Sequence, residues 1–299
     1  MTGETPALVS DVLVRATPLA LTGLAVAIAF RGGVWNIGAD GQFLAGATLA
    51  AWIGVMIGAT HVALPLALLA GAAAGAIWAG IAAVLRSRFG VLEVISTIML
   101  NFVAAFGVSY LVRGPLQEPT HVYPQTSSIG NAAQLPVLVP GTRIHAGVLV
   151  ALVLAAVAWW AMRHTAAGFR LRATGANPFA ARSAGLVDAE RVTMRAFLLS
   201  GALAGLAGAV EVCGVTYALY ENLSPGYGYT AIAVALLARL NPIGTFIAAI
   251  LFGALEVAAS ALQREAAIPS TTATVVEAAV ILVVIAVADW RARHVERMA

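Results

Sequence analysis

The chain has 299 residues, 61% hydrophobic and only 10% charged, with a formal net charge of +3. Soluble domains carry roughly a quarter charged residues, so this composition excludes a water-soluble fold and a disordered chain, and leaves a multi-span helical membrane protein. All 17 basic residues are Arg, which rules out a Walker A phosphate loop and Schiff-base chemistry. The pI near 9.4 comes from arginines in short loops beside apolar spans, not from a nucleic-acid surface. One cysteine, Cys213, and five scattered histidines provide no disulfide, zinc or haem motif, so no metal or cofactor is expected.

A hydrocarbon core of about 30 Å takes around 20 apolar residues per helix. In chain order the predicted spans are 10–30, 36–58, 62–85, 92–112, 145–163, 196–213 and 271–289. The stretch 229–262 is broken by Arg239, Asn241 and Pro242 and reads as two segments, 229–240 and 242–262. The expected fold is therefore all-α, a single membrane domain over 1–299 with about nine transmembrane or half-membrane helices. Arginines concentrate in 164–195, which is expected to be cytoplasmic; 113–144, rich in proline, is then external and the N-terminus outside. No signal peptide is visible. Gly54/Gly58, Gly71/Gly75 and Gly201/Gly205 predict close helix packing.

Polar groups enter the membrane at few places. The segment Val34-Trp35-Asn36-Ile37-Gly38-Ala39-Asp40-Gly41-Gln42 interrupts two apolar spans. Asp40 is expected to cap the helix starting near Gly41, and the segment reads either as an interfacial loop or as a broken helix facing a cavity, with Asn36 and Gln42 offered to it. A second interruption, Arg239-Leu240-Asn241-Pro242, has Asn241 as N-cap and Pro242 as first helical residue. Glu93, Thr97 and Asn101 fall on one helix face, either as interhelical glue or as a pathway lining. Arg239 is expected near the cytoplasmic face or in a wet cavity. In the basic loop, Asn177 and Pro178 open a helix of about two turns and Gly185 stops it. Ala181 and Arg182 lie within it. So short a helix must dock on something.

The motifs NIGADGQ (36–42), EVISTIMLN (93–101), ATGANPFAARSAG (173–185) and GYTAIAVALLARLNPIG (228–244) occur in one order. Together they resemble the membrane permease of binding-protein-dependent ABC importers, in the nucleoside and simple-sugar branch of the ribose and branched-chain amino-acid permeases. The resemblance spans about Arg15 to Arg291. It implies two pseudo-symmetric halves, a second permease subunit, cytoplasmic ATPase subunits, and an external solute-binding protein or lipoprotein. It implies a bacterial cytoplasmic membrane as location and ATP-driven alternating access as mechanism, with no catalytic residue in this chain. Asn177–Gly185 matches the coupling helix, and Asn36, Asp40, Gln42, Glu93, Thr97, Asn101, Arg239 and Asn241 would line the pathway. Family members usually carry a further N-terminal span, so the chain is expected to lack it or to begin downstream of it. Two other classes fit the composition. A secondary transporter would use Asp40 or Glu93 to couple to an ion gradient. An intramembrane aspartyl protease would need a dyad drawn from Asp11, Asp40, Asp188 and Asp289, and none of these is placed for one.

Overall fold

The computed structural model describes residues 4–185, 188–266 and isolated positions between 275 and 286. The expected span 271–289 and the arginine-rich tail lie largely outside the described residues. Ten α-helices follow in order among the described residues: α1 (Glu4–Arg31), α2 (Ala39–Ile57), α3 (Ala63–Phe89), α4 (Glu93–Arg113), α5 (Gly147–His164), α6 (Ala166–Ala176), α7 (Pro178–Ser183), α8 (Ala189–Glu211), α9 (Tyr227–Leu237) and α10 (Pro242–Ala266). Seven of them are long and apolar enough to cross a membrane, and α9 is a shorter apolar helix.

Helices α1 and α8 form the interior of the bundle, and most of their membrane-length stretch is buried. Leu19, Leu21, Leu24, Val26, Phe197 and Val210 have essentially no exposure. Helices α3, α4 and α5 instead turn apolar side chains outward, among them Leu69, Ile77, Phe102, Phe106 and Val153. That outward face is stable only against lipid.

The contact between α2, α3 and α8 is made by backbone. A methyl group placed on Gly46, Gly75 or Gly208 would land on the carbonyl oxygen of Gly205, Gly201 or Phe43, respectively. Small residues bring the helix axes together and replace side-chain packing with main-chain van der Waals contact. Two of the three expected glycine pairs, Gly71/Gly75 and Gly201/Gly205, meet each other here. The pair Gly54/Gly58 is different: it packs on Ile129 and Gly130 of the loop after α4, not on another helix.

That loop, residues 114–146, is held in place by backbone hydrogen bonds. Gly130 and Ala132 donate to Gly54 and Gly58, and Thr126, Ile129 and Leu135 donate to Leu219, Tyr217 and Cys213. Arg113 at the end of α4 pairs with Glu221 at 2.6 Å, and Ser109 donates to the same carboxylate. The Arg113 guanidinium, followed by Ser109, holds the Glu221 carboxyl below its ordinary range.

Helix α8 runs seven residues earlier than its expected start and ends differently. It widens into a π turn over Val212–Thr216, and Tyr217 takes a left-handed conformation with φ 56°. The chain then passes irregularly to Gly226, also at positive φ, before α9 begins. Helix α9 has 11 residues, so it is about 16 Å long, half a bilayer.

Candidate translocation and coupling sites

The break between α1 and α2 folds into a buried knot of amides. The Asn36 and Gln42 side chains exchange two hydrogen bonds, each 3.0 Å long. The Asn36 amide also donates to Ser200 of α8 at 2.8 Å, and its oxygen accepts the Gly38 N–H. Asn101 of α4 accepts the Gly41 N–H at 2.8 Å and donates to the Ile37 carbonyl and to the Tyr229 hydroxyl. Asn36, Gln42 and Ser200 are buried, as are Thr97 and Asn101. The irregular backbone of residues 37–41 is thus satisfied by Asn36 and by Asn101 of α4, whose side chains are in turn tied to Gln42, Ser200 and Tyr229, as membrane burial requires.

Asp40 does not cap its own helix. Gly38 occupies the N-cap of α2 without a side-chain bond, and the free N–H of Gly41 goes to Asn101. The Asp40 carboxylate instead accepts the Gly228 N–H at 3.0 Å and the Ser224 hydroxyl at 2.6 Å. Ser224 in turn accepts the N–H groups of Gly226 and Tyr227. Asp40 thus caps α9, 188 residues away in the chain, and its charge lies at the positive end of that helix dipole. Sequence reading gave it to the nearer helix because capping is ordinarily local. Helix α2 begins against α9, and α9 ends beside the end of α1, so the start of α9 lies about half a bilayer from the Arg31 end of α1.

The remaining expected pathway residues divide into two groups. Thr97 bonds its own helix at the Glu93 carbonyl, and Glu93 pairs with Arg86 across the α3–α4 turn at 3.4 Å. Arg239 and Asn241 are not near the amide knot. They lie at the far end of α9, where Arg239 and Leu240 both have positive φ and their carbonyls accept from the Arg31 guanidinium. Asn241 accepts the N–H groups of Ile243 and Gly244, capping α10 behind Pro242.

The segment between α5 and α8 is not a plain loop. Thr165 caps α6, and Asn177 caps α7 through the N–H groups of Phe179 and Ala180, both at 3.0 Å. Gly185 follows α7 at φ 66°. Helix α7 has six residues; Ala181 faces inward and is buried, whereas Phe179 is 78% exposed. A groove of about 320 Å³ runs beside it, lined by Arg86, Phe179, Arg182, Glu190 and Phe197 among others. Just before α7, Gly175 touches the turn after α1: a methyl group on Gly175 would land on the Arg31 carbonyl oxygen.

A multi-span helical bundle with a broken half-helix at membrane depth and a short capped helix at one end is the architecture of a transport permease. The chain belongs to the family described as branched-chain amino acid transport system / permease component, whose match covers residues 8–285. It is 40% identical over 287 residues to the glucose ABC transporter permease protein TsgB13 of Haloferax volcanii, covering 92% of this chain and 75% of that protein. It is 39% identical to the guanosine ABC transporter permease protein NupP of Bacillus subtilis, covering 92% and 80%, respectively. To the nucleoside ABC transporter permease protein NupB of Lactococcus lactis subsp. cremoris it is 31% identical, covering 91% and 78%. No solved structure matches the chain. The protein is thus an ABC transporter permease subunit.

Proposed function

We propose that this permease imports a nucleoside or a simple sugar across the bacterial cytoplasmic membrane by ATP-driven alternating access. It works beside a second permease subunit, identical or homologous. A cytoplasmic ATPase supplies the energy and an external solute-binding protein or lipoprotein supplies the solute. The relatives named for guanosine, nucleosides and glucose support this solute class.

The observation that carries the mechanism is α7. It is fixed at both ends by Asn177 and Gly185, it is held from behind by buried Ala181, and it presents Phe179 and Arg182 outward. Such an element is built to be pushed. Its base at Gly175 touches the turn that leads into Asn36, so displacement of α7 reaches the knot directly. Asp40, Asn101 and Tyr229 hold the start of α9 beside the path, and Asn36, Gln42, Thr97 and Glu93 support that joint from behind. Arg239 and Asn241 belong to the inner mouth. Domain rocking about a fixed midplane site then alternates access.

Arg182→Glu, or a Gly inserted after Ala181, is expected to uncouple ATP hydrolysis from uptake while membrane insertion persists. Uptake and solute-stimulated ATP hydrolysis in reconstituted vesicles measure this; normal coupling in both variants would refute the assignment of α7. Uphill uptake by this chain alone would refute the need for an ATPase partner.

A further inference from the structure

A cleft of about 640 Å³ lies away from the amide knot, at the opposite end of the bundle from Arg31. Its walls come from the first half of α1, the π turn, the 218–227 passage into α9 and the end of α10. Tyr220, Asn222, Tyr227 and Arg143 line it, together with Arg15 and Glu211. Its size is that of a small-molecule site.

Glu211 is only 5% exposed, yet it faces this cleft. Two neighbouring acids are paired, Glu256 with Arg15 at 3.5 Å and Glu221 with Arg113, whereas Asp11 at the cleft wall is more exposed than Glu211. Among the described residues no hydrogen bond or ion pair reaches the Glu211 carboxylate. A carboxylate with so little exposed surface takes its donors from the one side left open to it, the cleft.

We infer that Glu211 is the hydrogen-bond acceptor for a neutral, hydroxyl-bearing solute at the outer end of the transport path, an assignment that rests on the importer reading above. The cleft wall carries Arg15 and Arg143 as well as Asp11 and Glu211. An anion would meet two carboxylates and a cation two guanidiniums, so a neutral guest is favoured. Two hydroxyls on adjacent carbons match the two oxygens of one carboxylate, as in a ribose or a hexose. The rings of Tyr220 and Tyr227 offer apolar area to the remainder of such a guest.

Two experiments test this. In a Cys213→Ala background, Glu211→Cys in intact membranes is treated from outside with a charged, membrane-impermeant methanethiosulfonate. Labelling is expected, and saturating guanosine or glucose should slow it in the complete importer. Absence of labelling from outside would overturn the inference. In the reconstituted importer, Glu211→Gln is expected to lower uptake of radiolabelled guanosine or glucose at least about tenfold, the usual cost of a lost charged hydrogen bond. Binding-protein-stimulated ATP hydrolysis should persist. Unchanged uptake in Glu211→Gln overturns the role of Glu211. A wild-type importer that accepts neither probe counts against the proposed solute class, and the outside labelling then decides whether the cleft is an aqueous site.

Discussion

Gly33 and Gly175 meet backbone to backbone: a methyl group on Gly33 would lie 3.1 Å from the Gly175 Cα. One glycine belongs to the turn leading into the buried knot, the other to the helix that carries α7. Nothing but main chain separates the element proposed to be pushed from the segment proposed to move.

Gly175→Ala should therefore damage both stability and coupling. The added methyl meets the Arg31 carbonyl, which belongs to rigid backbone. Overpacking of this kind costs about 1–3 kcal/mol. The expected result is a lower melting temperature in detergent and a loss of solute-stimulated ATP hydrolysis. A variant with unchanged coupling would show that this contact transmits nothing.

Asp40→Ala should destabilise the start of α9. It strands the Gly228 N–H and the Ser224 hydroxyl, and loss of a cap costs about 0.5–2 kcal/mol. Asp40→Asn keeps an acceptor and should cost less. Thermal unfolding in detergent, with hydrogen exchange at Gly228, separates the two variants. Exchange protection at Gly228 that survives in Asp40→Ala would refute the cap.

Asn36→Leu should cost more than its volume change suggests. Gln42, Ser200 and the Gly38 N–H each lose a partner, at about 1–3 kcal/mol for each group left unsatisfied. Adding Gln42→Leu should cost less than the sum of the single changes, because the reciprocal pair is removed together. A double-mutant cycle read by denaturant unfolding checks this.

His145 predicts a pH dependence. Burial, and next the charge of Arg143, push its imidazole down from 6.5 to about 4. The unfolded chain therefore binds this proton more readily than the folded one. Stability is unaffected by this group above pH 6.5 and falls as pH drops toward 4, by roughly 3 kcal/mol in all. The His145→Asn variant should show a flatter stability profile between pH 4 and 6.5. The same slope in both proteins would assign the acid sensitivity elsewhere.

The helices were legible in the sequence because apolar runs of bilayer length leave little alternative. Asn177, Pro178 and Gly185 were equally legible, since capping acts within three residues. Asp40 was misread for the converse reason: its partners, Ser224 and Gly228, lie far along the chain, and no local pattern points to them. Glu211 could be noticed as an acid in an apolar run, but its cleft exists only through the π turn and the left-handed Tyr217. Neither has a strong signature. The arginines and acids in the sequence give no hint of which buried acid is left without a partner.

The glycine seam of α2, α3 and α8 has a mechanical meaning. A surface knitted from main-chain atoms has no rotamers to exchange, so it cannot slip in small steps as a leucine interface can. These three helices must travel as one rigid plate, and any flexing during the transport cycle is left to the joints at its margins.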